Sequence, residues 1–255
     1  MVSLAVCVDS DRTSRRSAAH ALAERFGVPA AALDSPGFEA FLVVTDDRLE
    51  LRAANAPGMG PVYVDFLTGA MRRRQREPGS AGQMIARAVG YKGQPLRIVD
   101  ATAGLGRDAF LLAGLGCTVT AVERSPIVAA LLADGLRRAA DDPEVGPILR
   151  DRLLLVEADA RAFLESLSET NRPDVVYIDP MFPHRTKSAL VKKEMRLCRL
   201  AAGDDPDADE LFRVALTVAR SRVVVKRRLR APVLVREPAF SYKGRAVRFD
   251  VYPCR

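Results

Sequence analysis

Two apolar periodicities divide this chain. In its first part, residues 2–8 alternate loosely and predict a short strand, and residues 14–26 place Ala18, Ala19, Leu22, Ala23 and Phe26 at helical spacing. Residues 38–44 and 49–53 predict a hairpin around Thr45-Asp46-Asp47-Arg48. A Pro/Gly loop at 57–61 then leads to a further predicted strand over 62–67. These elements predict a small N-terminal α+β unit over residues 1–70. From Gln94 the pattern changes to short apolar runs at 96–99, 118–123, 153–157, 175–178 and 222–226, with helical stretches at 107–115, 126–140, 160–168 and 207–220 between them. Near-continuous apolar strands separated by helices predict a parallel sheet covered on both faces. Residues 232–242 and 246–252, joined across Lys243-Gly244, predict a closing antiparallel hairpin. The expected organisation is therefore 1–70, a basic linker and helix at 71–93, and an α/β domain over 94–255.

Charge changes this picture at one place. The balance is 39 basic to 32 acidic residues, a net charge of +7. That excess fits a polyanionic partner or simply a solubilising surface. It is densest at Arg72, Arg73, Arg74 and Arg76, followed by Pro78-Gly79-Ser80-Ala81-Gly82. Such a stretch is either a solvated linker or a phosphate-contacting arm, and the arm is the reading carried forward. Cys7, Cys117, Cys198 and Cys254 are too dispersed for a Cys-x-x-Cys site, and only His20 and His184 are there to assist, so no metal is expected. Free cysteines, no apolar run of membrane length and no basic-then-apolar leader give the expectation of a cytoplasmic protein without membrane association.

The candidate chemistry begins at Arg97-Ile-Val-Asp-Ala-Thr-Ala-Gly-Leu-Gly-Arg-Asp-Ala-Phe110. Strand, glycine-rich turn and helix in this order present backbone N–H groups and a helix N-terminus to a ligand. Gly104 and Gly106 are expected to let the main chain approach that ligand. The spacing supplies Gly-x-Gly but not Gly-x-Gly-x-x-Gly, because residue 109 is alanine. In an open α/β sheet, ligands lie outside the carboxyl ends of the strands, which here carry Asp100, Glu123, Asp159 and Asp179. Any one of these can be a turn or cap carboxylate. As a set they suit a nucleoside: Glu123 for the ribose hydroxyls, Asp159 for an adenine amine, and Arg124 beside the base. Asp100 and Asp108 would repel a pyrophosphate and stabilise a sulfonium or amino group, which favours S-adenosylmethionine over NAD.

The second stretch is Val175-Val-Tyr-Ile-Asp-Pro-Met-Phe-Pro-His184. Its Asp179-Pro180-Met181-Phe182 resembles the Asp/Asn-Pro-Pro-Tyr/Phe motif of methyltransferases acting on exocyclic amines. The Asp179 carboxylate and Pro180 carbonyl can both accept from one NH₂ group, while Phe182 stacks on the base. The bland alternative is a strand, a proline turn and a core phenylalanine. A parallel sheet ending in a hairpin likewise resembles the Rossmann-like fold of class I S-adenosylmethionine-dependent methyltransferases.

Six segments carry a closer resemblance: Asp100–Phe110, Glu123-Arg-Ser-Pro126, Leu131-Leu-Ala-Asp-Gly-Leu136, Asp179–His184, Lys187-Ser-Ala-Leu-Val-Lys-Lys-Glu-Met-Arg196 and Val223-Val-Val-Lys-Arg227. Together they resemble the ribosomal RNA small subunit methyltransferase J family over about residues 62–252. The resemblance implies transfer of a methyl group from S-adenosylmethionine to the exocyclic N2 of a guanosine in 16S rRNA, with rRNA or the small ribosomal subunit as partner. It also implies cofactor contacts at Arg107, Asp108, Glu123, Arg124, Asp159, Ala160 and Asp179, beside the expected contacts of Asp100, Gly104 and Gly106. Two stretches depart from the family pattern. Residues 72–82 replace a glycine cluster, and Asp159-Ala160 stands where Ser-Ser is common.

Lys187, Lys192, Lys193 and Arg196, just after the Asp-Pro-Met-Phe stretch, are expected to join Arg72, Arg73, Arg74 and Arg76 in binding RNA. Lys226, Arg227, Arg228 and Arg230 are expected to extend that rim. Three rival functions stand beside this reading: methylation of another amine such as adenine N6, a Rossmann oxidoreductase, and a catalytically silent RNA-binding module.

Overall fold

A computed structural model describes residues 3–54, 58–68, 81–180, 197, 201 and 207–254. The N-terminal part holds β1 (Leu4–Asp9), α1 (Thr13–Phe26), β2 (Ala40–Thr45) and β3 (Leu49–Ala53). These strands form one sheet in the order β1-β2-β3, with β1 parallel to β2 and β2 antiparallel to β3.

The rest of the chain supplies α2 (Ala81–Val89), β4 (Arg97–Asp100), α3 (Arg107–Gly114), β5 (Thr118–Glu123), α4 (Pro126–Ala139), α5 (Val145–Arg152) and β6 (Leu153–Glu157). It continues with α6 (Ala160–Glu165), β7 (Val175–Ile178), α7 (Ala208–Val218), β8 (Arg222–Arg228), β9 (Phe240–Lys243) and β10 (Val247–Pro253). The second sheet has seven strands in the order β6-β5-β4-β7-β8-β10-β9. Its first five strands are parallel, and β10 runs antiparallel to both β8 and β9. The order reverses at β4, so a crevice opens between the carboxyl ends of β4 and β7.

The strand sequences require cover on both faces. Ile98, Val175, Tyr177 and Val224 face one core, while Val99, Val176, Ile178, Val223 and Val225 face the other. Side chains alternate along a strand, so an unbroken apolar run is stable only between two layers of helices. Leu211, Phe212, Ala215 and Val218 of α7 close the second core at helical spacing. Helix α4 starts cleanly because Ser125 accepts from the Val128 N–H (3.3 Å) and Pro126 occupies the first turn.

One core joins the two sheets. Leu42, Val44, Leu51, Val62, Val64 and Phe66 belong to the same buried cluster as Phe110, Leu131 and Leu132. Polar ties reinforce it: the Leu49 N–H donates to Asp134 (3.1 Å), and Arg138 donates to the Val64 carbonyl. Gly135 of α4 lies directly against Val64, where a Cβ would overlap the valine side chain. Gly135→Ala is therefore expected to lower the urea midpoint. Alanine gains about 1 kcal/mol of helix propensity, but overpacking of this kind typically costs ~1–3 kcal/mol. A raised midpoint would mean that the 62–66 segment moves aside at no cost.

Three expectations need correction. Residues 62–67 are not a strand: only Val62 bridges to Leu51, through two backbone bonds of 2.8 and 2.9 Å. Val62, Val64 and Phe66 alternate because they bury side chains, not because their backbone joins a ladder. Helix α5 had no place in the expected pattern, yet Val145 and Leu149 pack it into the core despite Gly146 and Pro147 in its first turn. The first arm of the closing hairpin is only Phe240–Lys243, and Pro232 instead accepts from Arg227 through its carbonyl (2.6 and 3.0 Å).

Candidate active site

The turn from β4 into α3 is held from both sides. The Ala101 N–H donates to the Tyr177 carbonyl (2.9 Å) and the Ala103 N–H to the Val122 carbonyl (3.0 Å). Gly104 sits at φ +54°, with its N–H donating to Glu123 Oε2 (2.8 Å), and a Cβ there would meet only the Thr102 carbonyl oxygen, at 4.0 Å. Gly106 differs from the expectation. Its φ is +73°, and a Cβ there would strike Leu132 at 2.6 Å with Phe66 close behind. It serves the turn and the packing of α3 against α4, whereas Gly104 is the glycine that faces the cavity.

That cavity, of about 540 Å³, opens over the carboxyl ends of β4, β5 and β7 and is walled by Val122, Val128, Ala160 and Leu211. Its size falls within the range of small-molecule and cofactor sites. Glu123 is only 7% exposed, and its carboxylate accepts from the Gly104 N–H and, through Oε1, the Ser125 N–H, both at 2.8 Å. These two backbone donors fix the direction of the carboxylate beside the glycine turn. Asp159 caps α6: its Oδ1 accepts from the Arg161 and Ala162 N–H groups, both at 3.0 Å. Its Oδ2 makes no hydrogen bond among the described residues. Arg124 donates to Asp207 Oδ1 (3.0 Å) at the cavity edge, an ion pair that Arg161 joins at 3.4 Å. Both Arg124 and Asp207 line the cavity, and Arg107 stands exposed on its rim.

A second cluster lies on the floor, where Asp100, Asp108, Tyr177, Asp179 and Lys226 meet. The Lys226 ammonium donates to Asp108 Oδ2 (2.7 Å) and Asp179 Oδ2 (2.8 Å), and the Tyr177 hydroxyl donates to the same Asp108 oxygen (2.7 Å). The Asp179 N–H donates to Thr102 Oγ1 (2.6 Å), which ties the strand end to the glycine turn. Burial would lower the Lys226 pKa, but Asp179 and Asp108 outweigh it and hold the ammonium above its ordinary value. Asp100 is 1% exposed; burial, with Asp108 adding to it, raises its pKa well above the carboxylate range. Burial and Asp108 likewise push the Tyr177 hydroxyl up.

The fold thus brings Asp100, Gly104, Arg107, Asp108, Glu123, Arg124, Asp159, Ala160, Asp179 and Pro180 onto one cavity. Phe182, Arg72, Arg73, Arg74, Arg76, Lys187, Lys192, Lys193 and Arg196 lie outside the described residues. Two rim assignments change. Lys226 turns into the cavity, and Arg227 is 4% exposed and clamps Pro232. A lysine one residue beyond Val223-Val224-Val225, at the carboxyl end of its strand, is a signal that could have placed Lys226. No cluster of His, Cys, Asp and Glu among the described residues is arranged to hold a metal ion.

A seven-stranded sheet of this order, with a glycine turn, a backbone-held carboxylate and an Asp-Pro strand end on one cavity, defines a class I S-adenosylmethionine-dependent methyltransferase. Residues 21–254 match the family model described as "Putative SAM-dependent methyltransferase". A solved SAM-dependent methyltransferase from Neisseria gonorrhoeae is 34% identical, with a TM-score of 0.73 over 97% of this chain and 95% of that one. Ribosomal RNA small subunit methyltransferase J of Pectobacterium atrosepticum is 48% identical over 98% of this chain and 99% of its own length. The protein of the same name from Aeromonas hydrophila is 54% identical over 92% of each. The chain belongs to the ribosomal RNA small subunit methyltransferase J family.

Proposed function

We propose that this chain methylates the exocyclic N2 amine of a guanosine in 16S ribosomal RNA, working in the cytoplasm on rRNA or the small ribosomal subunit. The observation that carries the reading is the opening of Asp179-Pro180 onto the same cavity as Gly104 and Glu123. A cofactor carboxylate and an amine-orienting strand end then face each other across one ligand volume.

The residues present fit S-adenosylmethionine. Gly104, on the cavity lining and without a Cβ, admits a ligand against the backbone, and the oriented Glu123 carboxylate suits ribose hydroxyls. Asp159 Oδ2 suits the adenine amine, while Val122, Val128, Ala160 and Leu211 offer apolar walls to the ring. Two carboxylates, Asp108 and Asp179, share the single Lys226 ammonium, which leaves the floor net acidic and favours a cationic centre. When bound, the cofactor supplies a methyl group made electrophilic by its sulfonium.

The chain's own groups then act on the amine. Asp179 and the Pro180 carbonyl accept its two N–H bonds, which aims the nitrogen lone pair at the methyl group and holds charge on the nitrogen. Phe182 stacks on the base in this reading, and the displaced proton leaves to water. The basic stretches at Arg72, Arg73, Arg74, Arg76, Lys187, Lys192, Lys193 and Arg196 hold phosphates.

Labelled methyl transfer into 16S rRNA and into assembled subunits, followed by mass mapping of the modified nucleotide, tests the reading. Label on guanine N2 supports it, whereas label on adenine N6 would move the target to the other amine. Reversing the charges of Arg72, Arg73 and Arg74 should weaken RNA binding and flatten its salt dependence, since fewer counterions are released. Wild-type binding that ignores salt would end the phosphate role of the arm.

A further inference from the structure

We infer that Lys226 is a positioning residue for methyl transfer, acting through Asp179. The inference rests on the amine-orienting role proposed for Asp179. Its basis is the Lys226 ammonium, with Asp108 Oδ2 at 2.7 Å and Asp179 Oδ2 at 2.8 Å.

The geometry is that of a brace. Asp179 stands just past β7 with its side chain 39% exposed. Its own N–H donates to Thr102, and the Lys226 ammonium holds Oδ2. Lys226 is in turn anchored by Asp108, whose accepting oxygen also takes the Tyr177 hydroxyl. The brace therefore runs from β8 to β7 and to the first turn of α3, the helix that follows the glycine turn. It couples the carboxylate that receives the amine to the element that presents the cofactor.

Charge adds a second reason. Asp108 and Asp179 converge on this floor from α3 and the end of β7, beside the buried Asp100 of β4, and like charges at such range oppose one another. The ammonium, held charged by its two carboxylate partners, keeps Asp179 available as an acceptor. A carboxyl group that took up a proton would present a donor to the amine and lose that function. A lysine here can brace the site without reaching the base, since a carboxylate accepts from several directions.

The test is a double-mutant comparison on the full chain, with Lys226→Met, Lys226→Arg, Asp179→Asn and the pair Lys226→Met/Asp179→Asn. Single-turnover transfer is measured at saturating RNA and cofactor, beside the affinities for both. Lys226→Met should slow transfer about a hundredfold, the scale of a lost alignment, and leave RNA affinity within about threefold. Lys226→Arg should recover most of that loss, because it restores a cationic donor. The pair should be little slower than Asp179→Asn alone, since the two residues act as one unit. A normal rate for Lys226→Met overturns the inference, as do losses that multiply in the pair. If Asp179→Asn itself is unimpaired, the catalytic assignment above fails; if only that variant is slow, the brace alone fails. Should the methionine variant not fold, Lys226→Ala, which likewise removes the donor shared by the two carboxylates, takes its place in the same comparison.

Discussion

Asp179→Ala is expected to slow single-turnover methyl transfer by about a hundred- to thousandfold, with RNA and cofactor both saturating. The loss of an oriented electrostatic contact to the reacting group is typically worth ~2.7–4 kcal/mol, which converts to that range. The strand itself should survive. Asp179 lies just past β7, its backbone bond to Thr102 does not need the side chain, and Lys226 retains Asp108 as a partner. The effect should therefore fall on turnover and spare RNA affinity, since the contact matters most where charge develops on nitrogen. Rapid-quench measurement with labelled cofactor reads the step directly. A near-normal rate in a folded variant would place the chemistry on other residues.

Glu123→Ala is expected to weaken S-adenosylmethionine binding by roughly ten- to a hundredfold, read by calorimetry. Each charge-assisted hydrogen bond to the ribose is worth about 1.5–3 kcal/mol. The variant also removes the acceptor for the Gly104 and Ser125 N–H groups, both on segments that shape the cavity. Glu123→Gln keeps an acceptor near one of those donors and should lose less. Unchanged cofactor affinity in the alanine variant would end the ribose assignment. A fall in thermal stability without a fall in affinity would leave Glu123 as a brace for the glycine turn alone.

The order of elements was legible along the chain wherever one physical cause controlled the pattern. Val175-Val-Tyr-Ile178 and Val223-Val-Val225 could only be strands buried on both faces, and the helices between them follow from that. Strand polarity then places Asp100, Glu123 and Asp179 at one end of the sheet, because parallel strands all point their carboxyl ends the same way. The cavity is thus a consequence of sequence order. The 62–66 segment misled because burial and strand pairing both produce alternation. Helix α5 was missed because its proline and glycine sit where tertiary packing outweighs local propensity.

What the sequence by itself determined is the parallel sheet, its closing hairpin, the glycine turn and the line of acids at the strand ends. Those depend on periodicity, chain direction and local backbone chemistry, which neighbouring residues specify. Only the tertiary structure decided which side chains meet. It turned Gly106 toward Leu132 while Gly104 faced the cavity, buried Arg227 against Pro232, and brought Lys226 between Asp108 and Asp179. Lys226 and Asp108 come from elements far apart in the chain, so only the register of β8 against β7, and the seating of α3 on the sheet, brings their charges to hydrogen-bond distance.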